Sequence, residues 1–120
     1  MQVFDERLQA LEEAIGGVLG ICLVARDGIC VQVRKSAENL DLEALAAEVL
    51  TLVGRISDPE HDPSVGRVRG FSIAGDGLTL AVAAVTPTYY LLAALDDETR
   101  LGRARFELRR ARLVFEPDLL

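Results

Sequence analysis

Residues 18–25 read VLGICLVA, eight positions without a charged or hydrogen-bonding side chain. Successive strand residues point to opposite faces, so a strand of this composition must be covered on both sides. Arg26-Asp27-Gly28 follows, and then ICVQV. Asp-Gly between apolar runs is a hairpin signal, so the second run pairs antiparallel with the first. The chain is thereby committed to a sheet with an interior strand and packing layers above and below it.

A second hairpin repeats the pattern. RVRGFSIAG (67–75) leads through Gly75-Asp76-Gly77 into LTLAVAAV, and Thr86-Pro87-Thr88 turns the chain into YYLLAAL (89–95). Arg67 and Arg69 at its start mark an edge strand, and Gly70 permits a bulge or a close backbone approach. Phe4, Leu8, Leu11 and Ile15 predict a helix over 3–15, ended by Gly16-Gly17. A second helix is expected from Leu42, with Asp41 or Asn39 as N-cap. A third is capped by Asp96 or Asp97. It carries Leu101, Ala104, Leu108, Ala111 and Phe115 and stops at Glu116-Pro117. The 120 residues fit one domain, 1–120. The order α-β-β-α-β-β-β-α predicts an α+β fold: a five-stranded antiparallel sheet with helices on both faces. With helices 1 and 3 on one face, helix 2 alone underfills the other. A second copy is the simplest cover, so a dimer is expected.

Helix 2 carries the lead to function. Leu42, Leu45, Ala46, Val49, Leu50, Leu52, Val53 and Ile56 fill an arc of roughly 160°, wider than one neighbour needs. That width is expected to meet both the sheet and a partner helix. The opposite side carries Ala44, Ala47, Thr51 and Gly54, edged by Glu43, Glu48 and Arg55. Solvated helix faces usually carry long charged side chains; this one is flat. Ala is also simply the best helix former, so the small residues have a bland explanation as well.

Charge narrows the partners. Net charge is −6, with −7 on residues 1–63 and +1 on residues 64–120. An acidic chain repels phosphate, so nucleic acid is not an expected partner. No run of eighteen apolar residues exists, and no membrane insertion is expected. The acidic, amphipathic N-terminus is neither a signal nor a transit peptide, and a cytoplasmic location is expected. With Asp27-Gly28 as the turn, Cys30 would lie opposite Ala25 and Cys22 opposite Val33. The two cysteines would then not be partners, and reduced buried thiols are expected.

Candidate chemistry is sparse. His61, the only histidine, sits in SDPEHDPSVG (57–66), expected to be an exposed, mobile loop. Beyond its neighbours Glu60 and Asp62 it has no partner for a triad. Two cysteines and one histidine cannot close a zinc site. The Gly-rich turns match neither phosphate-binding pattern, so no nucleotide or other cofactor is expected. Arg100, Arg103, Arg105, Arg109, Arg110 and Arg112 crowd helix 3 without aromatic interleaving or one common side; a solvated face is expected, partly neutralised by acidic helix 1. Tyr89 and Tyr90 point to opposite faces, so one could be a contact at the strand end, but structural use of both is expected. No nucleophile–base pair is present, and the chain is not expected to be an enzyme.

Several segments together resemble the roadblock / dynein light-chain family, whose bacterial members include MglB-type regulators of small Ras-like GTPases. They are Gly17–Gly20 after helix 1, LVARDGICV, the Leu/Ala-rich helix 2, GFSIAGDGLTLAVAAV, YYLLAAL and LGRARFELRRA. The resemblance covers nearly the whole chain and rests on the series rather than on one motif. It implies a dimer whose sheets join edge to edge through strand 3, with the two second helices side by side. The implied interface comprises Leu42, Leu45, Ala46, Val49, Leu50, Val53, Val68 and Phe71. The implied GTPase platform is Ala44, Ala47, Glu48, Thr51 and Arg55, the flat face already singled out. Such modules hold the partner's switch loops without binding nucleotide or supplying a catalytic arginine. The alternative is a structural subunit of a larger assembly; a small-molecule sensor ranks below both.

Overall fold

The computed structural model describes residues 2–57 and 65–119. His61 and most of the 57–66 segment lie outside the described residues. The elements are α1 (Gln2–Ile15), β1 (Val18–Ala25), β2 (Cys30–Lys35), α2 (Leu42–Ile56), β3 (Gly70–Ala74), β4 (Thr79–Ala84), β5 (Tyr89–Leu95) and α3 (Leu101–Phe115). This is the expected order. The sheet runs β2-β1-β5-β4-β3 with every neighbour antiparallel, so β2 and β3 are its edges. β3 is shorter than RVRGFSIAG suggested: Arg67 and Arg69 precede it.

Period-two alternation builds two cores. Ile21, Leu23, Ala81, Leu91, Ala93 and Leu95 face α1 and α3, which contribute Phe4, Leu8, Leu11, Ala104, Leu108 and Phe115. Cys22, Val24, Leu80, Val82, Leu92 and Ala94 face α2. β1 is therefore buried on both sides, as its composition demands. α1 and α3 lie antiparallel: the Phe4 and Phe115 rings stack with centroids 6.1 Å apart, and Arg103 Nε donates to the Ala14 carbonyl at 2.9 Å.

Polar contacts fix the ends. Asp41, not Asn39, caps α2, its carboxylate accepting from the Ala44 amide at 3.1 Å. Asp41→Ala is expected to cost about 1 kcal/mol, the usual value of a helix N-cap, read as a lower midpoint in urea unfolding. Asp97 caps a single 3-10 turn, Glu98–Arg100, that feeds α3. The acids of α1 do not neutralise the arginines of α3 in the expected way. Asp5 and Glu12 instead hold Arg34 of β2, at 3.1 and 3.5 Å. Arg110 and Arg112 pair within α3 and its following turn, with Glu107 and Glu116. Arg7 pairs with Asp118.

The expectation for the cysteines is corrected. The β1–β2 register slips between Leu23 and Val24, so Cys30 lies opposite Val24 rather than Ala25; Cys22 stays opposite Val33. The extra residue brings the thiols together. Both are free, and the contact with Cys30, together with burial, pushes the Cys22 thiol well above its ordinary range. Both tyrosines are used structurally, as expected. Tyr90 is buried with its hydroxyl toward the Val68 carbonyl, and Tyr89 packs half-buried against the opposite core.

Candidate partner-binding surface

α2 has two sides with different work. Leu42, Ala46, Val49, Leu50 and Val53 are buried against the chain's own sheet, and Val68 joins them. Of the expected interface residues, only Leu45 and Phe71 keep surface that a partner can reach. A single sheet consumes most of the wide arc, because β4 and β5 present Leu80, Val82, Leu92 and Ala94 to the same helix. The arc's far edge stays outside: Leu52 is 42% exposed and Ile56 38%. Periodicity placed both on the buried stripe. Their exposure is the signal that counting apolar positions misses.

The opposite side is open. Ala44, Ala47, Glu48, Thr51 and Arg55 are all exposed, so the structure brings the five together on one accessible face. Thr51 turns its hydroxyl into the helix, donating to the Ala47 carbonyl at 2.9 Å. With its hydroxyl bonded inside, Thr51 adds little polarity to the face. Ala47 has a second constraint. Gly28 of the β1–β2 turn lies against it, and a Cβ built on Gly28 would stand 3.1 Å from the Ala47 Cα. The small residue at 47 is therefore also the seat of the hairpin turn.

Among the described residues the neighbouring sheet edge, β3, is unpaired. The Arg69 carbonyl accepts from the Ala84 amide at 2.8 Å, and the Gly75 amide donates to the Leu78 carbonyl at 3.0 Å. In an antiparallel ladder these bonds alternate, so residues 69, 71, 73 and 75 bond toward β4. Gly70, Ser72 and Ala74 then direct their amide and carbonyl groups to the open side. A groove of about 910 Å³ wraps this edge. Ile56, Val65 and Phe71 line one end, and Arg105, Arg109 and Arg112 of α3 the other. An open edge beside exposed Leu52, Ile56 and Ile73 is a ready template for another chain.

Among the described residues no group of three or more His, Cys, Asp or Glu could hold a metal ion. No helix among them is long and apolar enough to cross a membrane.

No family model and no curated protein matches the chain. Solved structures do. Myxococcus xanthus MglB superposes with a TM-score of 0.76 at 17% identity, covering 92% of this chain and 89% of that one. An MglB with a tetrameric arrangement gives 0.79 at 18% identity, covering 95% and 88%. A Roadblock/LC7 domain from Streptomyces avermitilis gives 0.77 at 18% identity, covering 96% of each chain. With this element order, this sheet and these neighbours, the chain has a roadblock-like fold of the MglB type.

Proposed function

We propose that the chain is a non-enzymatic, cytoplasmic regulatory module. It works as a homodimer and docks a small Ras-like GTPase on the outward face of α2, altering its nucleotide cycle. The observation that carries the reading is the face itself: Ala44, Ala47 and Thr51 exposed on one side, bounded by Glu48 and Arg55. Short side chains let another protein's backbone approach closely and lose little conformational entropy on contact. The likeness of the fold to MglB supports the choice of partner.

The dimer forms through β3. Two copies of β3 pair antiparallel about Ser72, which sets Gly70 against the partner's Ala74. Asp76 then lies level with position 68 of the partner, between the partner's Arg67 and the partner's Arg69. Opposite charges across the new edge favour this register. The chain contributes no nucleotide ligand of its own; its action is to hold the partner's mobile loops in one state, which shifts that equilibrium by the difference in affinity.

The test is co-elution with a small Ras-like GTPase from the same genome, loaded in turn with GDP and with a non-hydrolysable GTP analogue. Wild type is expected to bind one form more tightly and to change its nucleotide release or hydrolysis. Thr51→Arg and Ala44→Arg are expected to weaken binding at least tenfold with the dimer intact. Equal binding by both variants would remove the α2 face from the site.

A further inference from the structure

The arginines of α3 divide between two flanks. At about 100° per residue, Arg105, Arg109 and Arg112 fall within about 60° of one another. Arg103 lies on the other flank, where it reaches Ala14 of α1. The first three line the groove that wraps β3, with Arg67 and Arg69 across it. Arg105 and Arg109 form no ion pair with the described residues. Glu116, bound to Arg112, is the only acid among the described residues that line the groove. A chain of net charge −6 thus gathers five arginines at one end of its open strand.

The other end of that strand is acidic. A cleft of about 270 Å³ joins the β3–β4 turn to the start of α3, and Asp76, Asp96, Asp97 and Glu98 line it. All four are exposed. α3 lies over β4 and runs the same way: its start shares the cleft with Thr79, and its last turn shares the groove with Ala84. The groove therefore belongs to the Gly70 end of β3 and the cleft to the Ala74 end.

We infer that these two ends form a charge lock between two copies of this chain, which sets the register of their β3 strands. The lock rests on the β3 pairing proposed above and adds α3 to it. Gly70, Ser72 and Ala74 all bond outward, so two strands can meet about any of the three. Their side chains are too small to choose by packing. About Gly70 the two grooves face each other, arginine against arginine. About Ala74 the two acidic clefts face each other. About Ser72, Gly70 stands against the partner's Ala74, and each groove receives the other copy's cleft. The α3 arginines then face the start of the second α3, which carries the partner's Glu98. Three strand spacings separate the two β4 strands, so the α3 axes stand about 14 Å apart. Extended arginine and glutamate side chains span that distance. Opposite charges across paired strands stabilise and like charges destabilise, and the two-fold axis repeats each contact. Nucleic acid or an anionic membrane is the weaker occupant, because the acids at the far end of the strand and the net charge repel both.

The experiment is sedimentation of the full chain, 13.0 kDa, as wild type, Arg109→Glu, Glu98→Lys and an equimolar mixture of the two variants. Neither residue has an ion partner among the described residues, so both variants are expected to keep the wild-type circular dichroism spectrum. Wild type is expected to be a dimer that rising salt weakens, since charge pairs near the surface are screened. Each variant alone is expected to weaken the dimer at least tenfold. The mixture is expected to regain wild-type strength, because the reversed groove of one variant meets the reversed cleft of the other. Native mass spectrometry should then show the mixed pair. Variants that pair as tightly as wild type, or a mixture that pairs no more tightly than its parts, would overturn the lock. So would phosphatidylserine vesicles or a single-stranded oligonucleotide whose binding Arg109→Glu removes while the dimer constant stays unchanged. A wild-type monomer, or a dimer that Ser72→Pro leaves intact, would overturn the β3 pairing and the lock together. A dimer that Ser72→Pro takes apart and charge reversal does not would overturn the lock alone.

Discussion

Ser72→Pro is expected to abolish pairing through β3 while leaving the folded chain intact. Ser72 directs its amide to the open edge, because its neighbours at 71 and 73 hold the ladder to β4. Proline there removes no bond inside the chain, and its fixed φ is tolerated on an edge strand. In a pairing centred on Ser72 the change strikes twice. Both cross-chain amide bonds at the centre are lost, and both facing carbonyls are left without donors. Two lost bonds and two stranded acceptors cost about 3–5 kcal/mol, roughly 10²- to 10⁴-fold in the dimer constant. Sedimentation at micromolar concentration should show a single chain of 13.0 kDa. The urea midpoint extrapolated for the chain itself should stay within about 1 kcal/mol of the parent. A variant that still pairs would place the dimer contact somewhere other than β3. Asp76→Lys is a milder companion: it sets like charges beside the partner's Arg67 and the partner's Arg69 and should weaken pairing without removing a backbone bond.

The architecture was legible because the apolar alternation in β1, β4 and β5 has one solution: two cores, one on each side. Turn chemistry at Asp27-Gly28 and Gly75-Asp76-Gly77 then fixed which runs pair. What stayed hidden depended on one-residue geometry. The slip between Leu23 and Val24 leaves no mark in composition, yet it moves Cys30 and joins two thiols. Helical spacing defines the centre of a buried stripe but not its width, so Leu52 and Ile56 could not be told from Val49 and Val53. The number of arginines in α3 masked the row Arg105, Arg109 and Arg112, because counting charges does not ask which residues lie on one line. The five residues expected on the outer face of α2 are indeed exposed; whether a partner binds them rests on the proposal above.

Gly28→Val is the substitution expected to damage the fold most among those considered. Gly28 has φ +90, a conformation that a β-branched residue adopts only under strain of about 1–2 kcal/mol. Its amide donates to the Ala25 carbonyl at 2.8 Å, and Asp27 accepts from the Ile29 amide at 3.0 Å, so the turn cannot relax without losing both bonds. The new Cβ would also stand 3.1 Å from the Ala47 Cα, and the two methyl groups beyond it would press on the α2 backbone. Overpacking of that kind adds about 1–3 kcal/mol. Together the loss is about 2–5 kcal/mol, a large part of a typical domain's stability and roughly 10 °C or more in thermal midpoint. Gly66→Ala separates the two causes. Gly66 also has a positive φ, +71, but a Cβ there meets nothing within 4 Å. It should cost only the conformational share. If Gly28→Val cost no more than Gly66→Ala, the hairpin turn would not brace α2. The obstacle at 47 is backbone, so Ala47→Gly would not rescue Gly28→Val. The same geometry decides how the docking face must be probed. Ala47 is small partly because the turn sits on it, so an arginine there tests packing and binding at once. The atoms nearest to a Cβ on Gly28 all belong to Ala47 and none to Ala44 or Thr51, so loss of binding on changing those two reports on the partner more directly.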